Sequence, residues 1–325
     1  MMTYILRRLL YAIPILITVN LLTFLLFFVV NTPDDMARVF LGDKRITAEQ
    51  ISNWKHERGY DLPLFLNTEA IGFNKISQTI FAQKALPLFV FDFGRSDSGR
   101  DIAYDIRQRM WPSLAIALPT LLLGLAVTIT LALLFVFFRQ SYVDYWGMVI
   151  CVLLMSISSL FYIIAGQFIF AKVLHLVPVS GFGDGLQAWN FVILPVVVGV
   201  IGGIGGGVRW YRTLFIEEMD KDYVRTAFAK GLPAWRVMFS HILPNGMIPI
   251  LTGVVVILPT LFMGSLLIES FFGIPGLGSY TIDAIQMQDF AIVRSMVFLG
   301  AVLYVMGLLL TDISYTLVDP RVRLQ

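Results

Sequence analysis

The chain has 325 residues, 57% of them hydrophobic and 14% charged, with a mean hydropathy of +0.78. Soluble domains run near roughly 45–50% apolar and about 25% charged, so most of this chain is excluded from soluble-domain packing and reads as an all-α integral membrane protein. A formal net charge of +2 without a basic run gives no nucleic-acid signal, and a lone cysteine, Cys151, excludes an intrachain disulfide framework and a thiolate metal site.

About 20 apolar residues are needed to cross the hydrocarbon of a bilayer. Charge-free runs of that length lie at roughly 9–31, 113–138, 147–171, 191–208, 247–268 and 293–315. Six spans put both termini on one side. Arg7 and Arg8 before the first span, Arg139 after the second, Arg209 and Arg212 after the fourth, and Arg321 and Arg323 after the sixth mark that side as cytoplasmic. The first apolar run is longer than a signal-peptide core and ends in Val29-Val30-Asn31-Thr32-Pro33, without a small-x-small cleavage site, so residues 1–31 read as a retained tail and span.

Residues 32–112 are polar throughout and are expected to fold outside the bilayer as a small, mostly helical segment, with 113–325 as the core permeating domain. Thr47-Ala48-Glu49-Gln50 has capping-box spacing and opens a helix expected to stop at Gly59. Trp54, Phe65, Phe73, Phe81, Phe89 and Phe91 supply apolar material for the segment to bury.

In the third span Ser156, Ser159 and Gln167 read as a polar stripe, available either to line a translocation path or to hydrogen-bond neighbouring helices. In the fourth, Gly199, Gly203 and Gly207 repeat every four residues, which suits close helix approach; no G-x-x-x-x-G-K-[ST] occurs, so the chain has no nucleotide cradle of its own. Pro249, Gly253, Pro259 and Gly264 predict a bent fifth span, beside a pathway or as a purely structural kink.

Between spans four and five, in a loop of about 209–246, lies Asp220-Lys221-Asp222-Tyr223-Val224-Arg225-Thr226-Ala227-Phe228-Ala229-Lys230-Gly231-Leu232-Pro233. Asp220 or Asp222 suits an N-cap, Gly231 the C′ position, and Pro233 the start of the next helix. A helix of about nine residues is too short to stand alone, so something must hold it. Tyr223, Val224, Ala227 and Phe228 share one face, while Asp222, Arg225, Thr226 and Lys230 occupy the others. That pattern fits a segment lying on lipid headgroups or a plug docking into another protein. Glu269, Arg294 and Asp312, near span ends, suit interfacial anchoring or an ion pair. An embedded hydrolase finds no support: His56, His175 and His241 are far apart, and neither H-E-x-x-H nor G-x-S-x-G occurs.

Three stretches in order resemble one family. The segment Asp222–Leu232 resembles the coupling loop of ABC importer permeases of the oligopeptide/dipeptide branch, Phe272-Gly273-Ile274-Pro275-Gly276-Leu277-Gly278 is similar to that branch's outer-loop signature, and Val318-Asp319-Pro320-Arg321-Val322-Arg323 to its C-terminus. Weaker echoes are Gly59-Tyr60-Asp61-Leu62-Pro63-Leu64 and Asp92-Phe93-Gly94-Arg95-Ser96. The loop departs from the broader family pattern, in which a glutamate and two alanines precede the glycine: Arg225 and Thr226 occupy the first two places, and Ala227 and Gly231 are kept. Phe228 stands where the branch commonly has a basic residue.

The resemblance implies a six-span, type I ABC importer permease fold in the bacterial cytoplasmic membrane. It implies a second homologous permease, two ATPase subunits binding ATP and Mg, and an extracytoplasmic solute-binding protein, with no enzymatic activity, cofactor or metal in this chain. Asp222, Tyr223, Val224, Arg225, Thr226, Ala227, Phe228, Lys230 and Gly231 would form the ATPase-coupling helix, the apolar four filling a groove and Arg225 and Lys230 making rim contacts. The cargo would be dipeptides or oligopeptides, or else nickel complexes or another peptide-like solute. An ion-driven secondary transporter, which needs no ATPase, is the competing class.

Overall fold

The computed structural model of the chain describes residues 2–42, 46–68, 70–72, 74–183 and 185–318. In chain order the helices are α1 (Met2–Leu25, continued by a π-helical turn Leu26–Val30), α2 (Pro33–Leu41), α3 (Ala48–Arg58), α4 (Asn74–Ser77), α5 (Ile80–Lys84), α6 (Ile102–Phe137), α7 (Tyr142–Ser156) and α8 (Ser159–Gly166, continued by the π-helical Gln167–Val173). They are followed by α9 (Ala188–Met219), α10 (Asp222–Ala229), α11 (Ala234–Val237), α12 (Leu243–Ile257), α13 (Leu266–Phe272), α14 (Leu277–Gln286) and α15 (Phe290–Val318). No strand occurs among the described residues, only a lone bridge between Arg95 and Asp101.

Five of these helices or helix runs are long and apolar enough to cross a membrane, and six if α7 and α8 count as one broken span. The expected third span over 147–171 is not one continuous helix. The chain bends by 90° between Ser156 and Ser159, because Ile157 and Ser158 both leave helical geometry at ψ near 131° and 142°. Backbone groups freed by a break in an apolar setting need partners. The Tyr162 hydroxyl supplies one, donating to the Leu154 carbonyl at 2.7 Å. The second and fourth spans belong to longer helices than their charge-free runs, and the fifth runs Ala234–Met263, with Pro249 inside α12 and a 3₁₀ turn Leu258–Met263 carrying Pro259.

The described residues pack as two units, one from 2–108 with Thr281–Leu309, the other from Arg109–Tyr280 with 310–318. In the first, Phe24 and Phe28 of α1 share a core with Met36 and Ala37 of α2, Trp54 of α3, Tyr60, and Ile80 of α5. Local chemistry sets these short helices. Thr32 with Asp35 and Thr47 with Gln50 form reciprocal capping boxes, and Gly59 stops α3 in the left-handed region at φ 67°. Of the aromatics expected to be buried, Trp54 is, and Phe81 and Phe89 are partly so, Phe89 edge-on to Phe298 at 5.3 Å. Phe65 is 40% exposed yet edge-on to Phe24 at 5.2 Å, Phe91 is 55% exposed, and Phe73 lies outside the described residues.

In the second unit α9 packs against α7 and α8. One core gathers Val136, Cys151, Val208, Phe215, Val237 and Ile242, and another gathers Ile163, Val192, Val198, Phe272 and Ile274. The glycine stripe is used in part. A Cβ at Gly199 would lie 2.8 Å from Thr120, and one at Gly207 2.8 Å from Thr128, so both glycines admit α6. Gly203 meets nothing within 4 Å, whereas Gly205, off the stripe, presses on Met155 and the Cys151 carbonyl.

Candidate functional site

The short helix α10 is held by its own chain. Val224 is 1% exposed and Ala227 4%, and both join the core of Phe215, Val237, Met238 and Ile242. This corrects the expectation that Val224 and Ala227 fill a groove on another protein: periodicity identifies an apolar face, and here the two residues cover the ends of α9 and α11. Tyr223 is half-buried against the same core. Neither acidic residue caps the helix; Lys221 is the N-cap residue and makes no side-chain cap bond. Instead the Lys221 ammonium reaches Glu218 Oε2 at 2.5 Å and the Tyr223 hydroxyl donates to Glu218 Oε1. Burial and that hydrogen bond push the Tyr223 hydroxyl above its ordinary range.

The C-terminus is a Schellman turn. Leu232 N–H donates to Ala227 O at 3.3 Å and Gly231 N–H to Phe228 O at 2.9 Å, with Gly231 at φ 78°. Leu232, packed on the core, adds the apolar contact that accompanies this motif. Pro233 then takes the N-cap of α11 at φ −68°, ψ 148°. The helix is therefore fixed at both ends and beneath.

What remains outward is Asp222, Arg225, Thr226, Phe228, Ala229, Lys230 and Gly231, with Phe228 43% exposed. Arg225 lies 3.6 Å from Asp222, an exposed pair worth about 0–1 kcal/mol. Trp235 and Phe239, which sequence reasoning passed over, are exposed on the following turns. Their signal was available: large aromatics beside a polar helix between two spans. Glu218 was also missed, since an acid ending an apolar helix looks like a surface residue. Behind this region Arg212 makes a bidentate contact with Asp144, at 2.8 Å to each oxygen, and ties α9 to α7.

The residues 272–278 are organised by Glu269, which is 1% exposed. Its Oε1 accepts from Ser265 N–H at 3.1 Å, and its Oε2 from Gly278 N–H at 2.7 Å and Ser279 N–H at 3.1 Å. Ser113 hydroxyl accepts from Leu277 N–H at 2.8 Å. Glu269 is thus neither an interfacial anchor nor an ion-pair partner, as position alone suggested, but the acceptor that folds this loop. Burial pushes its carboxyl above the ordinary range, against the pull of Ser113 and the amides. A Cβ at Gly278 would meet the Ser265 carbonyl carbon at 2.7 Å, so close approach explains that glycine.

The stripe of Ser156, Ser159 and Gln167 does not form, because the 90° bend separates Ser156 from Ser159. Ser156 donates to Val152 O at 2.9 Å within its own helix. Gln167 Nε2 donates to Val179 O at 3.1 Å and Phe271 O at 2.9 Å, a brace between backbone segments. Ser159 lines a cavity of about 180 Å³ with Tyr162, Gly199 and Ser265. Arg294, in the other unit, is 5% exposed with its guanidinium 5.3 Å from the Phe28 ring centroid, so it too is not an interfacial anchor.

These features define a class, a multi-pass α-helical membrane protein that fixes a short polar-faced helix between two long apolar ones. The sequence pattern of binding-protein-dependent transport system inner membrane components matches residues 124–324, and the pattern of the N-terminal part of such membrane components matches residues 1–88. Similar relatives include a putative peptide transport system permease protein of Brucella abortus, 32% identical over 99% of both chains. The dipeptide transport system permease protein DppB of Bacillus subtilis is 29% identical over 84% of this chain and 88% of its own. The glutathione transport system permease protein GsiC of Salmonella typhimurium is 29% identical over 99% of both. The chain belongs to the family of binding-protein-dependent transport system inner membrane components, the permeases of ABC transporters.

Proposed function

We propose that this permease forms half of the translocation path of an ATP-driven importer for dipeptides or oligopeptides, in the bacterial cytoplasmic membrane with both termini cytoplasmic. The cargo reading is supported by the relatives' roles in peptide, dipeptide and glutathione transport. A second homologous permease completes the path, two ATPase subunits bind ATP and Mg, and a solute-binding protein delivers cargo from outside.

The observation that carries the coupling role is the division of α10 into a buried and an offered face. Val224 and Ala227 anchor it, whereas Arg225, Thr226, Phe228 and Lys230 are left outward. Such a helix transmits rather than absorbs displacement: force applied at Phe228 passes through Glu218 to α9 and through the Gly231-Leu232-Pro233 turn to α11 and α12. Closure of the ATPases would move it as a rigid element and tilt the two long helices, alternating access to the path. Ser159, Ser156 and Gln167 remain positions along that path to probe, Ser159 foremost.

The test is purification in mild detergent after expression with the neighbouring reading frames. Co-purified ATPase and second permease, with hydrolysis stimulated by a peptide-loaded binding protein, support the importer. A lone, stable permease that takes up peptide without ATPase would move the secondary carrier to first place.

A further inference from the structure

The first unit holds a polar cavity of about 380 Å³ that nothing in the coupling account uses. Its lining includes Arg58, Lys84, Arg95 and Arg294 against Glu57, Asp92 and Asp97. The acids are engaged locally. Asp97 Oδ1 lies 3.4 Å from Arg58 Nε, Asp92 Oδ1 accepts from Gly94 N–H at 3.1 Å, and Glu57 lies 3.8 Å from Arg58. Arg58 is thereby spoken for.

Arg294 is not. It is 95% buried by its 5% exposure, it lines the cavity, and its Nε has no hydrogen-bond partner among the described residues. The face of Phe28 at 5.3 Å offers it quadrupole attraction but no acceptor. Lys84, on the same cavity wall, is half-buried with its ammonium 5.4 Å from the Tyr60 ring, and no carboxylate is paired with it among the described residues. Asp97 attracts both cations through space, but among the described residues its carboxylate is bonded to Arg58 and to neither of them, and a buried guanidinium without a hydrogen-bonded anion is costly. A buried guanidinium beside a half-buried ammonium therefore leaves donors open to the cavity.

We propose that this cavity binds a small solute through its carboxylate, with Arg294 as the planar donor and Lys84 as the second cation. The forked geometry of a guanidinium matches a carboxylate, and the cavity has room for a molecule of dipeptide size. Tyr60, 6% exposed, closes one wall, and burial raises its hydroxyl to about 12, so it stays neutral and adds no competing charge. The assignment stands apart from ATPase coupling and is read by binding, not transport.

The experiment is calorimetric titration of the detergent-purified protein with dialanine, with dialanine amide and with inorganic phosphate. Saturable binding of dialanine, at least about tenfold weaker for the amide, and lost in Arg294→Met, supports the site. Should Arg294→Met fail to accumulate, Lys84→Met at its half-buried position carries the same test, with binding expected to weaken about tenfold. Equal binding of acid and amide overturns the proposal. So does dialanine binding unchanged in both variants, which would place it elsewhere, and so does Arg294-dependent binding of phosphate without dialanine, which would make this a site for a free inorganic oxyanion.

Discussion

Tyr223 and Glu218 are joined side chain to side chain, the phenol donating across the turn that separates α9 from α10. Lys221 holds the other oxygen of the same carboxylate at 2.5 Å. One acid at the end of a long apolar helix thereby takes both side chains that begin the short helix. The pair makes α10 an extension of α9 in mechanical terms, although the backbone turns between them.

Phe228 and Val224 separate docking from folding. Phe228→Ala removes an exposed ring and is expected to leave the melting temperature of the purified permease unchanged while lowering the yield of co-purified ATPase. Val224→Ala opens the core and is expected to cost about 1–3 kcal/mol of stability. Thermal unfolding and pull-down yields on the two variants check this; a Phe228→Ala protein that retains its full complement of ATPase would remove Phe228 from the interface.

Gly231 isolates a backbone effect. Its φ is 78°, and beyond its immediate neighbours in the chain nothing lies within 4 Å of where a Cβ would stand, so the main cost of Gly231→Val is the left-handed backbone, at least about 1–2 kcal/mol for a β-branched residue. The Schellman turn is expected to open and the face beyond it to shift. Peptide uptake should collapse with the protein still in the membrane; normal uptake at normal membrane levels would count against a fixed coupling turn.

Much of this was legible in the sequence, and the legible part is local. The capping box at Thr47 and Gln50, the stop at Gly59, the C′ glycine at Gly231 and the start of the next helix at Pro233 each depend on a few neighbouring residues and appear as expected. What local pattern cannot assign is a partner. Val224 and Ala227 were correctly apolar, but whether they bury in this chain or another depends on Phe215 and Val237, residues that only folding brings near. The break at Ile157–Ser158 carries neither proline nor glycine, so an apolar run concealed it. Glu269 takes its donors from Ser265, Gly278 and Ser279, and its position beside a span end gave no sign of them.

Glu269 can be tested by removing one acceptor. In Glu269→Gln the amide nitrogen must face at least one of the three N–H donors now satisfied, leaving it unpaired at a cost of about 1–3 kcal/mol. The variant should melt earlier in detergent than the native protein. An unchanged melting temperature would mean the loop at 272–278 is held by other contacts.

A pH effect is expected at His56, which lies 2.8 Å from Asp61. The hydrogen bond to Asp61 raises the imidazole above its ordinary 6.5, and the same bond lowers the Asp61 carboxyl below 3.8. A raised histidine contributes fully below 6.5 and loses its contribution as pH rises through its folded value; the lowered acid contributes above 3.8 and loses it as pH falls through its own. The melting-temperature difference between native protein and His56→Gln should therefore be greatest between those limits and fade on the alkaline side. A difference that does not fade as pH rises through the histidine's folded value would show the pair to be uncoupled from folding.

The most direct measurement is proximity at Phe228. With Cys151, the chain's single and buried cysteine, replaced by serine, a cysteine is introduced by Phe228→Cys and, separately, by Ile71→Cys at a position 89% exposed in the other unit. Each assembled transporter is treated with a short thiol-reactive crosslinker carried on the cysteine. The coupling account predicts an adduct between the Phe228→Cys permease and an ATPase subunit, altered by ATP, and none from Ile71→Cys. Active uptake with no ATPase adduct at Phe228→Cys would contradict it.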